Sequence, residues 1–164
     1  MTQSSGLQLI DARDSDFLWV LGGEPVTPGL ALPPGGIDEP EIIEIVRAMA
    51  RDVYAAHDRG AWMMVEDGEV VGLCSYKAAP DADGAVEIGY GVAPSRQRRG
   101  HATRAVAGML QIAGDDPAVK VVLAATSVDN PASQRCLIKN GFVETGRKTD
   151  PEDGPVILWR RELG

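Results

Sequence analysis

Residues 95–105 read SRQRRGHATRA, four arginines and one glycine with no carboxylate among them. Residues of these types bind anions: guanidinium groups carry permanent charge, and a glycine lets a ligand come close to the backbone. Three chemistries compete for the stretch: a patch for nucleic acid, a cradle for a small phosphorylated ligand, and a solvated basic helix start. Upstream, in the run AVEIGYGV, Glu87 shares an alternating face with Gly89 and Gly91. A carboxylate beside two positions without side-chain bulk is suited to take a proton from a ligand lying against the strand, directly or through water.

The rest of the chain weighs on the choice. Its formal net charge is −8, so setting the four arginines aside leaves −12. An acidic body repels a polyanion and attracts a cationic amine. No aromatic residues interleave with the arginines as in RNA-binding segments. Nucleic acid is therefore not an expected partner. At 164 residues, 44% hydrophobic and 24% charged, the chain reads as one globular domain, 1–164, of ordinary composition. It has no apolar run of roughly 20 residues for a membrane span. Nor does it have a charged and then apolar leader, so a cytoplasmic setting is expected. Cys74 and Cys136 read as small buried hydrophobes, and His57 and His101 are too scattered to hold a metal.

The elements that position these residues follow from periodicity and punctuation. LQLIDA reads as a first strand, and DSDFLWVL as a short helix begun by Asp14 or Ser15. Residues 22–40, with five prolines and five glycines, read as a long loop. Asp38 is placed to cap the next helix, with Pro40 in its first turn and Glu41 completing a capping box; Gly60 ends it. AWMMVE and VVGLCSYKA flank Asp67-Gly68, a hairpin signal, and a turn at DADG leads into AVEIGYGV. An amphipathic helix is expected over 101–114, then VKVVLAAT as a central strand, giving a right-handed parallel unit. Asn130 caps a last helix closed by Asn140-Gly141, and FVETGR and PVILWRRE close the sheet. The class is α/β with a mixed sheet.

SRQRRGHATRA then runs from the carboxyl end of a strand into a helix, where free N–H groups and the helix dipole favour anions. Neither standard nucleotide fingerprint fits. Gln97-Arg98-Arg99-Gly100-His101-Ala102 resembles the acetyl-CoA loop of the GNAT superfamily of N-acetyltransferases, patterned Gln/Arg-x-x-Gly-x-Gly/Ala. NPASQRCLIKNGF, residues 130–142, matches the later Asn-x-x-Ala/Ser…Lys-x-Gly-Phe segment of that family. Together with EIGYGV, the pattern is most similar to the branch that acetylates protein N-termini, the ribosomal-protein alanine acetyltransferases and their small-molecule-modifying relatives.

The resemblance implies a mixed, mostly antiparallel sheet of about seven strands, splayed at the cofactor site and flanked by about four helices. It implies acetyl-CoA as acetyl donor. Val92 would pair its backbone with the pantetheine arm, as an added strand does. Gln97 and the N–H groups of Arg98, Arg99, Gly100, His101, Ala102 and Thr103 would hold the pyrophosphate, with charge from Arg96 or Arg98. Asn130 would touch the cofactor from the last helix. Glu87 would be the base. Many members carry a tyrosine acid where this chain has Leu137, so Ser133 is the substitute, with Cys136 and Tyr90 as further candidates.

The acceptor is expected to be a small-molecule or peptide amine. At pH 7 a primary amine of pKa near 10.4 is neutral only about once in 2,500 molecules, a cost of roughly 4.6 kcal/mol. An α-amine costs only about 1 to 1.4 kcal/mol. Trp62 and Trp159 read as core, whereas Trp19, beside the long loop, is placed to line an acceptor pocket, as is Tyr90. A homodimer fits the family, though no pattern names an interface. The competing function is a non-catalytic acyl-CoA-binding or sensor module on the same fold, which Leu137 keeps open.

Overall fold

A computed structural model describes residues 6–164. In chain order the elements are β1 (Gln8–Asp11), α1 (Asp14–Val20), α2 (Pro40–Ala56), β2 (Ala61–Glu66), β3 (Glu69–Tyr76), β4 (Ala85–Val92), α3 (His101–Gly114), β5 (Val121–Ser127), α4 (Pro131–Lys139), β6 (Val143–Asp150) and β7 (Gly154–Glu162). A single 3-10 turn, Pro94–Arg96, joins β4 to α3. The strands form one seven-stranded sheet in the order β1-β2-β3-β4-β5-β7-β6. Every neighbouring pair is antiparallel except β4 and β5. That parallel contact is short: Ala85, Val86 and Glu87 face Val121, Val122 and Leu123, and there the pairing stops. Beyond Glu87, β4 stays with β3 while β5 stays with β7, so the sheet opens into a wedge.

Helices cover both faces. Val86, Ile88, Val106, Met109, Leu137, Phe142 and Trp159 belong to one buried cluster, against which α3 and α4 pack. Phe17, Trp19, Ile43, Ala50, Met63 and Leu73 belong to the other, beneath α1 and α2. The alternation expected in β4 holds: Val86 and Ile88 are buried, and the face carrying Glu87, Gly89 and Gly91 is more open. The β2–β3 turn takes positive φ at both Asp67 (53°) and Gly68 (78°), the geometry that matches strand twist in a two-residue hairpin. α4 begins as expected, with Asn130 Oδ1 accepting the Ser133 N–H at 3.2 Å. It ends with Gly141 at φ 83°, Gly141 N–H donating to Ile138 O and Phe142 N–H to Leu137 O.

Several boundaries differ from the sequence expectations. α2 is capped at Glu39 without a side-chain bond, and Asp38 instead accepts the Glu39 N–H at 2.8 Å. Glu41 therefore closes no capping box, and the helix stops at Ala56, before Gly60. α1, by contrast, starts at Asp14 as expected, behind Arg13, whose N–H is held by the Asp16 carboxylate at 2.9 Å. Of the expected loop 22–40, residues 22–39 form turns without a helix or strand, Pro40 already belonging to α2, yet they are tied down. Ala31 bridges the β2–β3 hairpin through Gly68 O and the Val70 N–H, and Ser95 Oγ donates to Pro34 O at 3.0 Å.

At the end of the wedge away from α4, a buried ionic cluster joins α2 to α3. His57 Nε2 lies 2.6 Å from Asp116 Oδ2, the Ala118 N–H donates to Asp116 Oδ1 at 3.0 Å, and Arg59 stands 3.4 Å away. Burial alone would push the Asp116 carboxyl up, but the His57 and backbone hydrogen bonds outweigh it and hold it below the usual carboxylate range. Its contribution is therefore complete above about pH 4 and is lost as pH falls through the depressed native value. Asp116→Asn should lower unfolding stability by about 1.5–3 kcal/mol at pH 7, the scale of a charged hydrogen bond. The loss should shrink on acidification, as read from urea melts at pH 7 and pH 3.

Candidate active site

The wedge between β4 and β5 makes the site. Along β4 the ladder to β3 uses odd-numbered residues, because Lys77 N–H donates to Glu87 O and Ala93 N–H to Val71 O. In an antiparallel pair the intervening residues turn their polar groups away. Ile88, Tyr90 and Val92 thus present backbone N–H and C=O groups to the gap that β5 has left. Gln97 Nε2 donates to Val92 O at 3.1 Å.

Downstream of β4 the chain turns sharply. Arg98 (φ 67°) and Gly100 (φ 79°) both take left-handed conformations, and Gly100 is the residue before α3, with no side chain capping the helix. The first amides of α3 are consequently free for an external acceptor. The arginines divide into two pairs. Arg96 grips Glu69 through Nε (2.6 Å) and Nη2 (3.1 Å), and Arg104 Nη2 meets Glu66 at 2.9 Å. Those two glutamates flank the Asp67-Gly68 turn, so this pair straps the loop to the hairpin. The Arg96 hydrogen bonds hold the Glu69 carboxyl below its ordinary range. His101 is buried behind the strap, its Nδ1 2.9 Å from Arg104 and 3.1 Å from Glu66. Burial lowers the pKa of that imidazole. Arg98 and Arg99 are exposed and, among the described residues, make no ion pair.

Two cavities meet in the wedge. The larger, about 660 Å³, runs between β4, the start of α3 and α4. Val92, Arg96, Gln97, Arg98, Gly100, His101, Ala102, Thr103 and Asn130 all line it, together with Lys139, the lysine of the Lys-x-Gly-Phe match, and Arg135, which no sequence motif singles out. Arg99 lies outside. The smaller, about 290 Å³, sits under α2, walled by Ile42, Val46 and Met49 and floored by β3, β4 and the end of β5. Asp38, Tyr90, Gly91, Asn130 and Ser133 line both.

At this junction Tyr90 Oη and Ser133 Oγ are hydrogen-bonded at 2.7 Å. Burial pushes the Tyr90 phenol well above its ordinary pKa, so it keeps its proton. Cys136, also on the larger cavity, is buried and its thiol is likewise pushed up, as is Cys74. Leu137 is wholly buried and packs with Phe142 at the end of α4. The helix turns that position into the core, and Ser133, one turn earlier, faces the junction instead.

Two expected residues lie elsewhere. Trp19 is buried among Phe17, Ile43 and Met63 and lines neither cavity. Glu87 also lines neither: its carboxylate stands 3.5 Å from Lys77 Nζ, across the strand pair. Asp38 is the carboxylate that does reach the junction. In the sequence it reads as a helix cap, because a loop aspartate before Glu-Pro fits both roles. Among the described residues no cluster of side chains fits a metal ion, and no helix is long and apolar enough to cross a membrane.

Residues 12–143 match the acetyltransferase (GNAT) domain family. The chain belongs to that family. An N-acetyltransferase of Bacillus subtilis, YjdG, itself uncharacterised, is 31% identical over 85 residues, 51% of each chain. The ribosomal-protein-serine acetyltransferase of Escherichia coli is 26% identical over 93 residues, 55% of this chain and 52% of the relative. The matches thus span about half the length of these relatives. Among solved structures, RimL, a ribosomal L7/L12 α-N-protein acetyltransferase in complex with coenzyme A, superposes with a TM-score of 0.73 at 20% identity. The superposition covers 98% of this chain and 96% of that one, which shows the seven-stranded GNAT fold.

The arginine strap has a measurable consequence. Arg96→Met leaves Glu69 without its partner and unties the loop from the hairpin. Amide hydrogen exchange over residues 94–103 should accelerate by about three- to tenfold, with β2 amides unchanged.

Proposed function

We propose that the chain transfers an acetyl group from acetyl-CoA to a primary amine by direct attack within the wedge. The observation that carries this is the pair of cavities meeting at Tyr90 and Ser133, one lined by free helix amides and cations, the other walled by apolar residues of α2 and holding one carboxylate, Asp38. In the larger cavity the amides from Arg98 through Thr103 hold the pyrophosphate of the donor. Arg98 adds charge beside them, and Arg135 and Lys139 face the same space. The open edge of β4 at Tyr90 and Val92 takes the pantetheine arm as an added strand. Small residues at Gly100 and Ala102 leave room for that approach. An arginine cluster half committed to Glu66 and Glu69 supports this over a track for nucleic acid.

In the smaller cavity Asp38 draws the acceptor's ammonium to the junction, where its proton passes to water. The neutral nitrogen bonds to the acetyl carbon, the carbon–sulfur bond breaks, the nitrogen gives up its second proton to water to become the amide, and the leaving thiolate takes a proton. Either hydroxyl of the Tyr90–Ser133 pair can donate; with Tyr90, held protonated by burial, as donor to Ser133 Oγ, the Ser133 proton is directed at the sulfur. No carboxylate other than Asp38 lines the acceptor cavity among the described residues. An α-amine, which costs only about 1 to 1.4 kcal/mol to deprotonate at pH 7, needs no stronger base. A peptide N-terminus or a small α-amine is thus the acceptor type this site suits, in a cytosolic setting where acetyl-CoA is at hand.

Thiol release from acetyl-CoA with a panel of amines and N-terminal peptides tests the proposal. Coenzyme A binding without release from any amine would leave only a binding module. Ser133→Ala and Tyr90→Phe should each slow kcat by about 10- to 100-fold, and the double variant should be no slower than the worse single, because the hydroxyls act as one relay. Asp38→Asn should raise KM for cationic amines about two- to fivefold, the scale of an exposed charge pair. Glu87→Gln should keep kcat/KM within about threefold across pH, far less than the loss of a general base. A lost basic or acidic limb in that profile would restore Glu87 as the base.

A further inference from the structure

The acceptor cavity is not chemically uniform along its length. At the junction it offers Asp38, an acceptor of hydrogen bonds. Towards its other end it offers donors. Lys77 lies opposite Glu87, at the level where β4 and β5 stop pairing, and its chain folds back over Gly89, where a Cβ would lie 3.1 Å from Lys77 Cε. Its ammonium lines the cavity, while its partner Glu87 does not, and the pair is loose at 3.5 Å.

Besides Tyr90 and Ser133 at the junction, three hydroxyl-bearing residues line the same cavity. Thr126 Oγ1 accepts the Trp159 indole N–H at 2.9 Å, and Ser127 Oγ accepts the Asp129 N–H at 3.1 Å. Thr126, opposite Ile157 in the sheet, faces the cluster under α3 and α4, and Ser127, whose carbonyl accepts the Asn130 N–H, stands at the junction. Ser75, paired with the Gly89 over which the Lys77 chain folds, is the hydroxyl at the Lys77 end. A cavity with a carboxylate at one end and an ammonium with an O–H donor at the other is complementary to a dipolar molecule.

We propose that the acceptor carries a carboxylate several bonds from its amine, held by Lys77 with the hydroxyl of Ser75. This rests on the acetyl-transfer reading above and adds the substrate class to it. The spacing sets the size. From Gly91 at the junction to Gly89 beneath the Lys77 chain is two residues, about 7 Å along a strand. Two extended residues of a peptide span about 7 Å. A dipeptide, or an amino acid of similar length, fits amine to Asp38 and carboxylate to Lys77, with its apolar side chains against Ile42, Val46 and Met49. The carboxylate has two sources, the free C-terminus of a dipeptide or an acidic side chain near the N-terminus of a longer peptide.

The experiment compares three acceptors by thiol release from acetyl-CoA: an apolar dipeptide, its C-terminal amide, and a tetrapeptide amide with glutamate second. The dipeptide or the glutamyl peptide, according to the source, should exceed the amide in kcat/KM by about 10- to 100-fold, mainly through KM, as expected of a charged hydrogen bond. Lys77→Met should bring that ratio close to one, and Lys77→Arg should restore most of it. Equal rates for acid and amide in the wild-type protein, or a ratio that survives Lys77→Met in a folded variant, would overturn the inference while leaving acetyl transfer intact. Release with none of the three or with any other amine, despite coenzyme A binding by calorimetry, would remove the inference together with the reading beneath it.

Discussion

β4 and β5 run parallel for three residue pairs and then part, and most of what the molecule does follows from that parting. A strand whose neighbour leaves exposes a row of backbone donors and acceptors, which is costly if buried without partners and useful if a ligand supplies them. Here the row belongs to Ile88, Tyr90 and Val92, and the helices on either side turn the gap into two joined cavities. The parting is sustained because each strand has a full partner on its other side. β5 pairs with β7 over seven residues, from Val121 to Ser127, and β4 pairs with β3 as far as Val92. Neither strand needs the other beyond Glu87.

The wedge also governs how the basic stretch is used. An acidic chain that gathers four arginines must balance their mutual repulsion, and it does so by giving two of them to Glu66 and Glu69. These ion pairs hold the Gly100 turn against the β2–β3 hairpin, and the long loop is tied to both through Ala31 and through Ser95. What remains free to meet a phosphate is the set of amides at the start of α3 and the charges on Arg98, Arg135 and Lys139. Electrostatic work is thus split: one pair of arginines builds the cradle, and the other cations face its contents.

Much of this architecture is legible in the chain. Asp67-Gly68, Asn130 with Pro131, and Asn140-Gly141 each announce one backbone geometry, because few residues tolerate a left-handed φ or cap a helix. The hydrophobic stripe of α3 and the apolar run of β5 specify element type and burial. A period of 3.6 suits one face of a helix, and a continuous apolar run suits a strand covered on both sides. Trp19 and Asp38 depart from expectation for a shared reason. Trp19 borders residues 22–40 and Asp38 lies within them, and their turns have no period, so nothing local says whether a side chain there faces core, cavity or solvent. Glu87 stands on the expected face of its strand, but a face is not a contact. Lys77, at the end of another strand, decides what that carboxylate meets.

The alphabet of the site is set locally: a glycine turn before a helix, a serine one turn into another, a tyrosine on an alternating strand. Backbone sterics and a spacing of a few residues are enough to specify each of these from the chain alone. Which of the letters stand together is settled only once the chain has folded. Tyr90 and Ser133 are 43 residues apart and 2.7 Å from each other, and Arg96 reaches Glu69 across 27 residues. Such contacts depend on where β5 leaves β4, which is a balance of pairing among four strands and is written in no single segment.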